Sequence, residues 1–108
     1  MTREQAKAPF IEAAELGWLN FIDIIFDNCP EQIEITCVFQ KWAGLKVDYH
    51  GEDEYFEELL DRIYYLSQYC CEKCGKSGRS AIIDGWEMTL CDTHYEEIDV
   101  TQKYRADK

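Results

Sequence analysis

CEKCGKSGRSAIIDGWEMTLCDTH, residues 71–94, decides how this chain is read. It carries four side chains able to ligate a metal, in two pairs of equal spacing: Cys71 with Cys74, and Cys91 with His94. A C-x2-C pair lets two sulfurs converge on one ion while the N–H groups of the turn point at them, and Gly75 permits the tight turn that follows. RSAII and WEMTL flank Asp84-Gly85, and Asp-Gly between alternating segments signals a two-residue hairpin. Thr89 and Leu90 lead into CDTHYEEID, which starts a helix. Cys91 and His94 then sit three apart on one face of its first turn.

A knuckle, a hairpin and a helix that gives the last two ligands make a treble-clef-like order. Three sulfurs and one imidazole suit Zn2+ in a closed tetrahedral site. Four protein ligands leave no open position for a reacting water, and neither HExxH nor an H-x-E with PCxxC is present, so the ion is expected to be structural and the chain not an enzyme. It replaces a core that a segment of about 40 residues does not build alone. Cys70 is an alternative to Cys71, although only a spacing of two gives the usual knuckle; it otherwise reads as the buried end of the preceding helix. Cys37 reads as a strand-core residue and Cys29 as a free thiol near a helix end. A fifth thiolate would support iron instead of zinc.

Upstream, the pattern alternates between helical and extended periods. Phe56, Leu59, Leu60, Ile63 and Leu66 form an apolar stripe, which predicts a helix over 53–69, with its early acids at the positive end of the helix dipole. QIEITCVFQ and LKVDYH have strand periodicity, with Ile33, Ile35, Cys37 and Phe39 on one face of the first and Leu45, Val47 and Tyr49 on one face of the second. They are expected to pair as a hairpin. Ile11, Ala14, Trp18, Phe21, Ile22 and Ile25 recur at helical spacing, which predicts one helix over 9–27, with Pro9 in its first turn, Gly17 as its weak point, and Asn28 and Pro30 as its stop. The expected fold class is α+β: a helix–hairpin–helix core, residues 1–69, and a C-terminal zinc-stapled treble-clef-like hairpin and helix, residues 70–108, in a single domain of 108 residues.

Twenty-two acids against 11 bases give a formal net charge of -11, while 46% of the residues are hydrophobic, so the chain is expected to fold. The charge repels a nucleic-acid duplex or an anionic membrane surface and attracts a basic protein. No signal peptide is recognised in MTREQAKAPF, and FIDIIF is cut by Asp23, so neither secretion nor a membrane span is expected. The expected compartment is the cytoplasm, where clustered cysteines indicate metal rather than disulfides.

CEKCGKSGR, Trp86 and TLCDTH together resemble a group of small bacterial and phage-associated proteins that end in a CE-x-CG-x-x-G…W…TLCD-x-H zinc segment. Those proteins often carry a K-F-G-G-L-R-F-Y-like stretch upstream. KWAGLKVDY, residues 41–49, is similar to it, with Trp42 in place of the Phe, Ala43 of the first Gly and Lys46 of the Arg. The resemblance covers about residues 32–96. It implies a fold more than a function, and some similar proteins sit beside polymorphic toxins, which implies an immunity role.

The expected function is therefore a protein-binding inhibitor, an immunity protein that neutralises a toxin domain with a basic cleft. Asp53, Glu54, Glu57, Glu58 and Asp61 are its candidate partner-binding acids, and Trp42 and Tyr55 its candidate apolar anchors. The alternatives are a phage or host regulator that binds a cellular protein and, from another class, a zinc-finger nucleic-acid-binding module using Lys73, Lys76 and Arg79. His50 with Asp48 and Asp53 makes only an incidental acid/base group.

Overall fold

Residues 1–100 and 102–105 are described in a computed structural model. Thr2 opens the first helix, α1 (Arg3–Glu12), with a reciprocal cap: its hydroxyl accepts from the Gln5 N–H at 3.1 Å, and the Gln5 side chain accepts from the Thr2 N–H at 2.8 Å. The chain then leaves the helix. The Glu15 N–H bonds to the Phe10 carbonyl at 2.8 Å and the Ala14 N–H to the Ile11 carbonyl at 3.1 Å, with Ala14 at φ 56°. These are the two bonds of a Schellman stop, with Ala14 at the left-handed position usually given to glycine. A second helix, α2, runs over Leu19–Asp27.

The single helix expected over 9–27 is thus two helices. Pro9 lies inside α1 rather than in a first turn, and Ile11 is exposed rather than part of a common stripe. Arg3 pairs with Asp23 and Asp27, and Lys7 with Asp23 at 2.6 Å, across the α1–α2 contact.

Strands β1 (Glu34–Lys41) and β2 (Gly44–His50) form an antiparallel two-stranded sheet, and Lys41 faces Gly44 across its turn. The register slips between Ile35 and Cys37, so Thr36 is an extra residue in β1. The bulge reverses the phase of the strand. Ile35 and Val38 point into the core, and Cys37, expected there, is exposed. Inward residues pair correctly after the bulge, Val38 with Val47 and Gln40 with Leu45.

Asp53 caps the third helix, α3 (Glu54–Ser67), by accepting from the Phe56 N–H at 2.8 Å. Phe56 and Ile63 are buried, and Leu59 and Leu60 partly so. Leu66, expected in this stripe, is exposed; the last turn buries Ser67 instead, whose hydroxyl accepts from the Leu45 N–H at 2.9 Å. One core gathers Ala6, Trp18, Ile22, Ile25, Ile33, Ile35, Val38, Leu45, Phe56 and Ile63.

Beyond Cys70, β3 (Arg79–Ile83) and β4 (Trp86–Leu90) pair around Asp84-Gly85, both at positive φ (48° and 83°). A short helix α4 (Asp92–Glu97) follows, and β5 (Lys103–Tyr104) adds to β3, giving the order β4-β3-β5. A second core comprises Cys71, Ala81, Ile83, Leu90 and Cys91, with Met88, Tyr95, Ile98 and Val100 against it. The fold is α+β, with four helices and two small sheets among the described residues, and no described helix is long and apolar enough to cross a membrane.

Candidate metal centre

Cys71 and Cys74 come from the turn that precedes β3, Cys91 caps α4, and His94 lies in the first turn of that helix. Their ligand atoms all lie within 4.8 Å of one another. Cys74 Sγ is 3.8 Å from Cys91 Sγ, and His94 Nδ1 is 3.6 Å from Cys71 Sγ and 3.2 Å from Cys91 Sγ. With Zn–S near about 2.3 Å and Zn–N near about 2.0 Å, a tetrahedral site has S···S edges of about 3.8 Å and S···N edges of about 3.5 Å. The donors suit a single tetrahedral ion in number and type, and these three separations lie near the ideal edges.

Backbone geometry prepares these sulfurs for charge. The Cys71 sulfur, fully buried, faces the backbone N–H groups of Cys91, Cys74 and Lys73. Burial pushes its thiol up, against these N–H groups. At Cys91 burial raises the thiol, but the His94 backbone N–H, at 3.4 Å, and the neighbouring ligand side chains outweigh it, leaving the group at about 7. Cys70 stands outside the cluster. It bridges to Ser77, and its carbonyl accepts from Trp18 Nε1 at 2.9 Å, so its place is structural. Cys29 is a partly buried free thiol, raised by that burial.

The centre is locked to the rest of the chain through Glu72, which the sequence reading passed over. Glu72 lies between the first two candidate ligands, yet it is buried and turned inward. Its Oε2 accepts from the Thr89 N–H at 2.6 Å and from Gln40 Nε2 at 3.3 Å. Burial raises this carboxyl to about 7. The Gln40 amide also donates to the Glu87 carbonyl at 2.6 Å, and the Thr89 hydroxyl donates to the Ala43 carbonyl at 2.7 Å. The knuckle, the β3–β4 hairpin and the β1–β2 hairpin thus share one polar network, buried at Glu72 and Thr89.

The two hairpin turns frame a groove of about 500 Å³ lined by Gln40, Lys41, Trp42, Ile82, Gly85, Trp86 and Glu87. Trp42 is 67% and Trp86 61% exposed, and Ile82 is exposed between them. Trp42 and Ala43 occupy the β1–β2 turn at φ 51° and 65°, a conformation usually given to glycine or asparagine. Of the groove's aromatic pair, only Trp42 was singled out from sequence as a binding anchor. Trp86 entered only through the resemblance of the zinc segment.

The candidate acids lie elsewhere. Glu54, Glu57, Glu58 and Asp61 are exposed along α3, while Asp53 caps it and accepts from Gln32 Nε2 at 3.2 Å. Tyr55 is 85% exposed beside them. Trp42 is not brought to this cluster. It sits at the turn end of the hairpin, near Tyr64 in the late part of α3, whereas Asp53 begins that helix. Among the described residues, no hydrogen bond or ion pair joins His50, Asp48 and Asp53 to one another. Lys73 lies within the knuckle, Lys76 and Arg79 follow it in sequence, and Arg79 opens β3. The chain matches no family model, no curated protein and no solved structure.

Proposed function

We propose that this chain is a small non-enzymatic inhibitor that binds another protein, of the kind that neutralises a toxin domain, and that a structural Zn2+ on Cys71, Cys74, Cys91 and His94 holds its binding surface in shape. The local order of knuckle, hairpin and ligand-bearing helix supports a treble-clef reading, and the β1–β2 hairpin between α2 and α3 supports the helix–hairpin–helix reading of the remainder. When bound, the ion supplies a cross-link between the knuckle and α4.

The observation that carries the reading is the groove between Trp42 and Trp86. Exposed tryptophans around a concavity with a polar rim are the residue type and setting of interface hot spots. A net charge of -11 favours a cationic partner, with the α3 carboxylates acting at long range and the tryptophans holding on contact. The same charge disfavours the nucleic-acid alternative, since phosphate binding needs several unopposed cations.

The test is affinity capture from cells with the wild-type chain and with a Trp42→Ala/Trp86→Ala variant. Capture is followed by an activity assay of the recovered protein. The expected result is a basic partner that the wild type binds and inhibits and the variant does not. Identical capture by both forms, or recovery of nucleic acid alone, overturns the reading.

A further inference from the structure

We propose that Arg105 is a positioning residue of the metal centre: it acts through the Leu90–Cys91 peptide on the sulfur of Cys71 and slows release of the ion. The inference rests on reading Cys71, Cys74, Cys91 and His94 as a metal site.

Arg105 is buried to an unusual degree for its type, with only 5% of its side chain exposed. Among the described residues its ion pair is with Asp92 at 3.0 Å, and Asp92 is 89% exposed. A pair with one partner in solvent is screened and contributes little, which is poor compensation for burying a guanidinium. Its Nε is also buried without a hydrogen-bond partner among the described residues. Something besides Asp92 must favour the cation there.

The remaining contacts point inward. One terminal nitrogen donates to the carbonyls of Leu90 and Arg79, which face each other at the end of the β3–β4 ladder. The guanidinium also lies 4.4 Å from the centre of the Tyr95 ring in α4. Lys103 Nζ lies 4.7 Å from the same ring and donates to the Tyr95 carbonyl at 3.0 Å. The β5 segment therefore brings two cations onto the helix that carries His94, in a chain where acids outnumber bases two to one.

The Leu90–Cys91 peptide connects this cation to the centre. Its carbonyl accepts from Arg105, and its N–H points at the Cys71 sulfur. Hydrogen bonds in series polarise one another, so a cation on the carbonyl strengthens the N–H···S bond at the other end. A divalent ion with three thiolates and a neutral imidazole keeps a net negative charge. Cys71 has no exposed surface, so water does not serve its share of that charge. Arg105 does so through one peptide, as outer-shell groups commonly do for metal ligands.

The test uses the full chain loaded with zinc and, separately, with cobalt(II), in wild type, Arg105→Gln and Arg105→Lys. Transfer of zinc to an excess of a chromophoric chelator gives the release rate. The backbone amide proton of Cys91, followed by NMR, reports the N–H···S bond. Arg105→Gln is expected to release zinc about 10–100-fold faster. Its Cys91 amide resonance should move upfield, while the sulfur-to-cobalt absorption keeps the wild-type form because the ligands are unchanged. Arg105→Lys, which restores the charge without the fork, should fall between the two.

A wild type that takes up no stoichiometric metal overturns the metal reading, and this inference with it. A wild type that holds one ion, with variants that release it at the same rate or leave the Cys91 resonance in place, overturns the role of Arg105 alone. If Arg105→Gln does not fold with zinc present, Arg105→Lys decides on the same two readouts.

Discussion

A Cβ placed on Gly17 would lie 1.8 Å from the carbonyl oxygen of Cys71 and 2.5 Å from the N–H nitrogen of Gly75. The linker between α1 and α2 therefore packs backbone to backbone on the knuckle of the candidate metal centre. The Gly17 N–H donates to the Glu72 carbonyl at 2.9 Å, which fixes that approach. Gly17→Ala is expected to destabilise the protein by about 1–3 kcal/mol, because two backbones must part to admit the methyl group. Ala14→Gly, three residues earlier, should act in the opposite direction, by up to about 1 kcal/mol, since it relieves a left-handed alanine. Urea melts of both variants with zinc present check the pair. A neutral Gly17→Ala would mean that this contact is loose.

Removing the metal should not loosen the chain evenly. The ion joins the knuckle to α4, so chelation is expected to raise amide exchange first in β3, β4 and α4. The Gly17 amide should follow them, because its acceptor belongs to the knuckle. The amides of Ile22 and Ile25 in the other core should remain protected. Hydrogen exchange with and without chelator separates these groups, and simultaneous loss of protection throughout would show a single cooperative unit instead.

How far the sequence revealed this arrangement depended on whether the signal was local. Asp84-Gly85 and the Asp53 cap are decided within four residues, and the second hairpin and the start of α3 were legible for that reason. The four candidate ligands were legible because their spacing reflects one knuckle and one helical turn. The break after α1 was not, since an alanine occupies the Schellman position and Ile11, Ala14 and Trp18 happen to keep a helical interval. Gly17 was noticed as a helix weakness, but its cause is a packing demand from residues more than 50 positions away. Cys37 was assigned to the wrong face because Thr36 is extra, and a bulge leaves no trace in a period-2 pattern. Glu72 was passed over, because only the tertiary fold supplies the Thr89 and Gln40 donors that meet it.

Those donors make Glu72 a stability determinant. Glu72→Ala leaves the Thr89 N–H and the Gln40 amide without their shared acceptor inside the protein. The expected loss is about 1–3 kcal/mol, the usual penalty for a buried unpaired polar group. Glu72→Gln keeps an acceptor oxygen in the same place and should cost less. Thermal melts in zinc-containing buffer order the three proteins. Equal melting of wild type and Glu72→Ala would mean that water replaces the carboxylate without cost.

Binding should divide between two regions of the surface. The exposed carboxylates of α3 begin with Glu54, about 15 Å of helix before Tyr64, whose hydroxyl reaches the β1–β2 turn that carries Trp42, and end with Asp61, about 5 Å before it. Charge acts over those distances before contact, while side-chain burial acts only after it. Reversing Glu54, Glu57 and Asp61 to lysine is therefore expected to slow association with a cationic partner and flatten its dependence on salt, with little effect on dissociation. Trp42→Ala and Trp86→Ala should do the reverse, raising the dissociation rate by about tenfold or more each, as expected of hot-spot residues costing at least about 1–2 kcal/mol. Combining the two sets should give nearly additive free energies, because the groups share no contact. Surface binding kinetics against the captured partner, over a range of salt concentrations, measure all of these. An unchanged association rate and salt slope after charge reversal would make the α3 acids only a solvated face. Unchanged dissociation after both tryptophan substitutions would move the interface away from the groove.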